Sequence, residues 1–363
     1  MPTPSKDPRL DFGTPRVLVT GATGWLGRRL VDTLLHGLPD LERLGTPQAG
    51  LKVRGLVALG QDGPGLQALA EAGRIELVVG DLRQPAHCAA LVEGAAGGVL
   101  VHTAGIIHPR RVNEFYQVNV EGTKHLLAAA VKAGVRRAVI VSSNSPCGCN
   151  PTRDHRFDES SPFHPYMNYG RSKMLMELAV REVQKCGAIE TVLIRAPWFY
   201  GPWQPPRQTE FFRMIRAGRA PIVGDGNDPR SMAYIDNLCQ GLMLAALEPR
   251  AAGQTYWIAD ERPYSMNEVV DTVERLLETE FGQTCAHRRM RLPGFAGDLA
   301  QILDGSLQAL GAYHQKIHVL SEMNKTIACV VGKAQAELGY RPAVALEEGM
   351  RRSLRWCFEN GHL

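Results

Sequence analysis

The chain has 363 residues, 44% hydrophobic and 21% charged, an ordinary globular composition that excludes a fibrous or low-complexity protein. Its 41 basic and 37 acidic residues leave a formal net charge of +4, and the "RR" pairs at 28, 110, 136, 288 and 351 are scattered. That scatter reads as solvated surface, not as a stripe for nucleic acid, so no nucleic-acid partner is expected.

Residues 1–15, "MPTPSKDPRLDFGTP", form a polar, proline-rich lead without the apolar core of a signal peptide. No uninterrupted apolar run elsewhere reaches membrane-spanning length, so the sequence predicts a cytoplasmic chain with no membrane span. Next comes "RVLVTGATGWLGRRLVDTLLHGL", in which a β-rich run at Val17–Val19 meets glycines at 21, 24 and 27 and then an apolar pattern of helical period. Strand, glycine loop and helix in that order let backbone approach a pyrophosphate, with the helix N-terminus supplying amides and a favourable dipole end.

Further strands are expected in "KVRGLVAL" (52–59), "IELVVGDL" (75–82), "GVLVHTAG" (98–105) and "RAVIVSSN" (137–144). Between the last two, "NVEGTKHLLAAAVKAG" predicts a helix closed by Gly134. The rhythm is that of an α/β doubly wound parallel sheet, whose ligands bind beyond the carboxyl ends of the strands, where Gly21, Asp81, Thr103 and Ser143 fall. Eight cysteines spread from Cys88 to Cys357 fit reduced, mostly buried thiols. "CGC" at 147–149 lacks the spacer of a zinc pair, and no metal site is expected.

The stretch "YGRSK" (169–173) precedes the apolar run "MLMELAV". On a helix, Tyr169 and Lys173 lie one turn apart on one face and address the same small volume. A tyrosine, with a reference pKa of about 10, needs a neighbouring cation to approach the working range of a general acid or base. The loop from Ser143 to Tyr169 allows a strand-end serine and a helix-borne tyrosine to converge above one ligand.

With these motifs placed, the chain resembles the extended short-chain dehydrogenase/reductases, which include nucleotide-sugar epimerases and 3β-hydroxysteroid dehydrogenases, from about Arg16 to about Trp356. "TGATGWLG" looks like the family's cofactor loop, "GDL" (80–82) its adenine contact and "HTAG" (102–105) the strand end beside the dinucleotide. "NVEGT" (119–123), "VSSN" (141–144), "LIRAPWFYGP" (193–202), "GDGNDPRSMAYIDN" (224–237) and "AELGYRP" (336–342) follow in the family's order. The resemblance implies a Rossmann-type domain over 16–197 and a smaller substrate lobe over 198–363 with segments returning to the sheet. It implies contacts to the cofactor from Gly21, Thr23, Gly24, Trp25, Leu26, Gly27, Asp81, Leu82, Thr103, Ala104, Gly105, Asn119, Tyr169, Lys173 and Pro197. It further implies hydride exchange with a nicotinamide: Tyr169 moves the proton, Ser143 holds the substrate oxygen, Asn119 supports the site, and Lys173 grips the ribose and lowers the tyrosine pKa.

Departures narrow the substrate. Asn144 and Ser145 stand where relatives that dehydrate or decarboxylate commonly carry an acid, so those reactions lose their second proton-handling group. Trp198 occupies the place of an asparagine that reaches the diphosphate in nucleotide-sugar enzymes, and it offers an apolar face instead. Trp203, Phe211, Phe212 and Met214 fall in the segment expected to line the lobe, with core packing as the alternative for the two phenylalanines. Arg230 keeps a position that often grips diphosphate, or else pins the lobe by hydrogen bonds. These features point to a small-molecule substrate that is a fairly apolar secondary alcohol or ketone; the alternative is a nucleotide-sugar 4-epimerase with tightly bound NAD.

Cofactor choice leans to NAD, with NADP open. The second strand ends in Ala58, which is neither an acid for the ribose nor an arginine for a 2′-phosphate. Asp62 or Arg54 could serve there, surface placement being the alternative for both. Residues 295–313, with Phe295, Leu299, Ile302, Leu303, Leu307 and Leu310 at near-helical spacing, predict a helix that packs on its own protein or closes as a lid; Asp298 and Asp304 argue against a membrane-lying face. The helices around "NVEGTKHLLAAAVKAG" and "YGRSKMLMELAVREVQK" pair subunits in relatives, so a homodimer is expected.

Overall fold

The computed structural model describes residues 11–363 apart from 39, 42, 59 and 61–63, so Asp62 and most of the polar lead lie outside the described residues. Chain order begins with β1 (Arg16–Thr20), α1 (Trp25–His36), β2 (Lys52–Val57), α2 (Pro64–Glu71), β3 (Ile75–Val79), α3 (Pro85–Val92) and β4 (Val99–His102). A short α4 (Asn113–Phe115) runs through a π-helical stretch, Tyr116–Gly122, into α5 (Thr123–Lys132); then come β5 (Arg137–Ser143), α6 (Met167–Lys185) and β6 (Glu190–Ala196). The remainder is β7 (Trp198–Tyr200), α7 (Pro206–Arg216), β8 (Pro221–Val223), β9 (Met232–Tyr234), α8 (Ile235–Leu247), β10 (Thr255–Trp257), α9 (Met266–Thr279), β11 (Met290–Leu292), α10 (Phe295–Ala309), α11 (Gln315–Glu322), α12 (Gly332–Leu338) and α13 (Leu346–Glu359).

Seven strands form one parallel sheet in the order β3-β2-β1-β4-β5-β6-β10. Period-2 alternation assigns its two faces: Val17, Val19, Val99, Val101 and Val139 join one core with α1 and the almost wholly buried α8, while Leu18, Leu100, Ala138 and Ile140 join a second core under α3, α5 and α6. Strand order reverses direction between β1 and β4, where Thr20 pairs with His102, and in sheets of this kind ligands bind beyond the carboxyl ends at that point.

The strands stop short of the apolar runs read from sequence: the run 52–59 yields a strand ending at Val57, with Ala58 exposed past it. Arg54 is neither a surface residue nor a ribose contact. It is buried, donates through Nη1 to the carbonyls of Leu91 (3.0 Å) and Glu93 (2.6 Å), and pairs through Nε with Glu76 at 2.8 Å. Trp203 does not line the substrate lobe either; its backbone is left-handed (φ 63°), and its ring lies under the guanidinium groups of Arg28 and Arg29 on α1, 4.7 and 5.3 Å from their central carbons. Phe212 is core, whereas Phe211 is half-buried against Trp198. The stripe on α10 also departs from expectation, because Phe295, Leu299, Ile302, Leu303 and Leu310 are exposed to solvent and cover nothing.

Candidate active site

The glycine loop is built by close approach. Gly21 takes φ 69°, and a Cβ there would stand 2.8 Å from the Ala104 Cα, so the loop after β1 and the loop after β4 touch backbone to backbone. Gly27, on the first turn of α1, would drive a Cβ to 2.0 Å from the Gly21 carbonyl oxygen and 2.8 Å from the Thr103 Oγ1. Thr103 Oγ1 itself donates to the Thr20 carbonyl at 2.7 Å, and Ala104 N donates to Thr20 Oγ1 at 3.2 Å. The N-cap of α1 is Gly24, which caps nothing through a side chain, and its first turn carries no acid. Exposed backbone at Gly24 and Gly105 and the favourable dipole end of α1 therefore lie together beyond β1, and this cradle fits a dinucleotide pyrophosphate.

Gly27→Ala should lower stability by about 1–3 kcal/mol and weaken dinucleotide binding, because the backbone clash exceeds the gain of roughly 1 kcal/mol from replacing a helical glycine. Thermal melts and a nicotinamide fluorescence titration check this; unchanged affinity would mean that the helix does not need to sit so close.

Behind the cradle lies a buried polar network. The His102 ring joins Thr20 Oγ1 (Nδ1, 2.7 Å) to Thr123 Oγ1 (Nε2, 2.9 Å), and burial, with Lys173 nearby, holds it neutral by pushing its pKa down to about 3. Thr123 donates to the Asn119 carbonyl at 2.8 Å. The π-helical stretch turns Asn119 inward, where its Oδ1 accepts from Ile106 N (2.9 Å) and its Nδ2 donates to the Ile106 carbonyl (3.1 Å) and to Ser172 Oγ (3.1 Å). Asn119 thus braces the loop after β4 against the helix that carries Tyr169, one neighbour beyond the reacting groups themselves.

Ser143 ends β5 and Tyr169 sits in the first turn of α6, and the two come close enough for the Ser143 hydroxyl to favour the ionised phenol. Ser143 Oγ also donates to Asn144 Oδ1 and accepts from Ser145 N, both at 3.3 Å. Lys173 is buried one turn after Tyr169, but its Nζ donates to the Val141 carbonyl at 2.8 Å. Burial pushes the lysine down to about 8 and pushes the tyrosine up to about 12, with Ser143 pulling the phenol back and Glu322 raising it further. Burial thus dominates at Tyr169 and favours the protonated phenol, while the Lys173 ammonium is spent on the Val141 carbonyl.

Other expected contacts divide. Asp81 stands at the sheet edge with its carboxylate held by the Arg83 amide (2.9 Å) and guanidinium (Nε, 2.8 Å), which keeps it below the usual carboxylate range. Leu82 and Leu26 are buried core. Thr23 lies in the glycine loop, and Pro197 is buried between β6 and β7. Trp25 spends its Nε1 on the Pro202 carbonyl (2.7 Å) and packs on Phe199. Arg230 is half-buried and donates through Nη1 to the Glu322 carbonyl at 2.7 Å, so it does pin the lobe. Trp198 presents a half-buried face edge-on to Phe211, with ring centroids 6.3 Å apart.

Sequence reasoning missed two supports. Glu177 and Arg195 form a fully buried pair (2.9 Å) between α6 and β6, joined by Ser142 Oγ at 2.6 Å; Glu177 stands four residues after Lys173, and that spacing was the available signal. The Asn168 amide and Nδ2 both donate to Gln308 Oε1, at 3.1 and 2.9 Å, across 140 residues of sequence that give no local hint.

The sequence pattern of the NAD dependent epimerase/dehydratase family matches residues 17–259. The chain belongs to the NAD-dependent epimerase/dehydratase family. Its relatives in that family include the uncharacterized protein y4nL of Sinorhizobium fredii, 53% identical over 97% of this chain and 98% of the relative. The human 3 beta-hydroxysteroid dehydrogenase type 7 is 30% identical over 93% of this chain and 94% of its own length. Among solved structures, the dTDP-glucose 4,6-dehydratase DesIV of Streptomyces venezuelae, determined with NAD bound, is 26% identical, superimposes with a TM-score of 0.72 and covers 95% of this chain and 97% of that one. The epimerase/dehydratase family thus spans redox, epimerising and dehydrating enzymes, and this chain is an enzyme of that type.

Proposed function

We propose that the protein is an NAD-dependent dehydrogenase or ketone reductase acting on an apolar secondary alcohol or ketone, in the manner of a 3β-hydroxysteroid dehydrogenase. The observation that carries the reading is the placing of Ser143 at the end of β5 beside Tyr169 on the first turn of α6, with Lys173 buried one turn along and the glycine cradle beyond it. Gly21, Gly24, Gly27, Thr103, Ala104, Gly105 and Lys173 would hold the dinucleotide, which when bound supplies the hydride donor or acceptor. Ser143 positions the substrate oxygen. Tyr169 gives that oxygen its proton in reduction and takes it back in oxidation. Asn119 keeps the loop under Ile106 in register with α6.

Because the phenol starts protonated, with its pKa up at about 12, reduction should be nearly independent of pH through the neutral range, and oxidation should accelerate as pH rises. The apolar preference rests on Trp198, Phe211 and Phe115, whose ring centroid lies 5.7 Å from that of Tyr169, and on the neutral Asn144 and Ser145 after Ser143. The division near residue 197 into a nucleotide domain and a substrate lobe, pairing of two copies through α5 and α6, and a cytoplasmic location all belong to this proposal. The second reading is a nucleotide-sugar 4-epimerase, since Arg230 keeps a position that often grips a diphosphate, although its Nη1 is spent on the Glu322 carbonyl.

Reduced-nicotinamide absorbance, followed against hydroxysteroid-like alcohols and ketones and against UDP-hexoses, separates the two. Stoichiometric turnover with the apolar panel is expected; UDP-hexose isomerisation without net absorbance change would make the epimerase the answer. Titration with NADH and NADPH in the same experiment tests the cofactor.

A further inference from the structure

Helix α10 is built inside out. Gly297, Ala300, Asp304 and Gln308 are its buried residues, while Phe295, Leu299, Ile302, Leu303 and the following Leu310 are 69, 62, 68, 48 and 85% exposed. The spacing i, i+4, i+7, i+8 puts these apolar side chains on one face, and a surface helix of a globular protein normally turns such a face inward. A contiguous exposed patch of this kind marks a binding surface.

The orientation is locked. On the inner face, Asp304 Oδ2 pairs with His318 Nδ1 at 2.7 Å and accepts from Gln308 Nε2 at 2.9 Å, and Gln308 holds Asn168. Gly297 is packed so closely on Asn324 that a Cβ would come within 2.3 Å of its Oδ1. Turning the apolar face inward would break every one of these bonds, so the greasy side stays out.

Among the described residues, unpaired basic residues flank this face. Asp304 is buried, and Asp298, though 60% exposed, is paired with Lys325 (2.6 Å) and held by Asn324 (3.1 Å). Arg291 precedes the helix, and at its far end Arg110, Arg111 and Lys316 cluster, Arg111 being bridged to Ala312. All four are exposed, and among the described residues none of them makes an ion pair. A second copy docking here by two-fold symmetry would set basic ends against basic ends, whether the helices ran parallel or antiparallel. A surface that is apolar within and anionic at its headgroups satisfies both features at once.

We propose that the outer face of α10 is a peripheral docking surface for an anionic lipid bilayer. The chain lies on the membrane through Phe295, Leu299, Ile302, Leu303 and Leu310, with Arg291, Arg110, Arg111 and Lys316 at headgroup level. On the opposite side of the helix Gln308 holds Asn168, the residue before Tyr169, so docking places the candidate site near the bilayer. The surface does not depend on which substrate the site takes, and its test uses none.

Full-length protein is floated with vesicles of phosphatidylcholine containing roughly a third phosphatidylglycerol, and with phosphatidylcholine alone. The wild type should float with the anionic vesicles, and Leu299→Glu/Leu303→Glu should lower partitioning at least about tenfold with an unchanged circular dichroism spectrum and melt. Arg110→Gln/Arg111→Gln, which leaves the apolar face intact, should reduce binding to the anionic vesicles and make what remains less sensitive to salt. Three results would overturn the proposal: folded wild type that never floats, equal flotation of wild type and the glutamate variant, or self-association that the glutamate variant abolishes in the absence of any vesicle binding. The last would assign the face to a second copy.

Discussion

Tyr169→Phe retains its dinucleotide and loses at least about a hundredfold in turnover, the low end for removing a positioned acid or base and equivalent to roughly 2.7 kcal/mol of transition-state stabilisation. The substitution keeps the ring that packs against Phe115, and it leaves Ser143 bonded to Ser145 and Asn144, so the fold has no reason to change. The cradle at Gly21 and Gly27 and the Lys173 bond to the Val141 carbonyl are also untouched, which is why cofactor affinity should hold while kcat falls. Steady-state kinetics beside a fluorescence titration make the split visible. Turnover within about threefold of wild type would remove Tyr169 from the mechanism.

Glu177→Leu is the second large effect, and it acts on stability. Arg195 is 1% exposed, its Nε and Nη2 both bond to Glu177, and among the described residues its Nη1 has no hydrogen-bond partner, the rings of Trp257 and Phe163 lying beside the guanidinium. Deleting the carboxylate strands a buried guanidinium and the Ser142 hydroxyl together, at a cost of about 3–5 kcal/mol. In a chain of this size that lowers Tm by about 4–7 °C. Adding Arg195→Met should restore much of the loss, because an apolar pair of similar volume needs no compensating charge. Since the pair fixes α6, which presents Tyr169 and Lys173, the single variant should lose activity as well. A melt within about 0.5 kcal/mol of wild type would show that water or a neighbour replaces the carboxylate.

How much was legible follows from which interactions are local. The sheet was readable because each strand is an apolar run flanked by turn residues, and because Gly21 and Gly27 sit where only a hydrogen fits. Ser143, Tyr169 and Lys173 were readable as a constellation from strand end, loop length and helical spacing. Their electrostatics were not: the direction of the Tyr169 shift depends on how much protein surrounds it and on a backbone carbonyl that captures Lys173. The π-helical stretch at 116–122 was hidden in what reads as one plain α-helix, since only its packing with Ile106 and Ser172 selects the slipped hydrogen bonds. Trp203 and Arg54 were misplaced because contacts with α1 and with the ends of α3 decide their positions. The outward stripe of α10 was misread for the same reason: the inner face is chosen by Gln308, Asp304 and their distant partners, against the local hydrophobic pattern.

The central claim is that the Ser143–Tyr169 site couples hydride transfer to protonation of one carbinol oxygen. The direct measurement is the fate of deuterium from NADH labelled at the nicotinamide C4, incubated with the purified protein and an apolar ketone. The account predicts deuterium on the new carbinol carbon with one NADH consumed per alcohol formed. Alcohol formed without the label, or NADH left unconsumed while a nucleotide sugar inverts at one carbon, would contradict it.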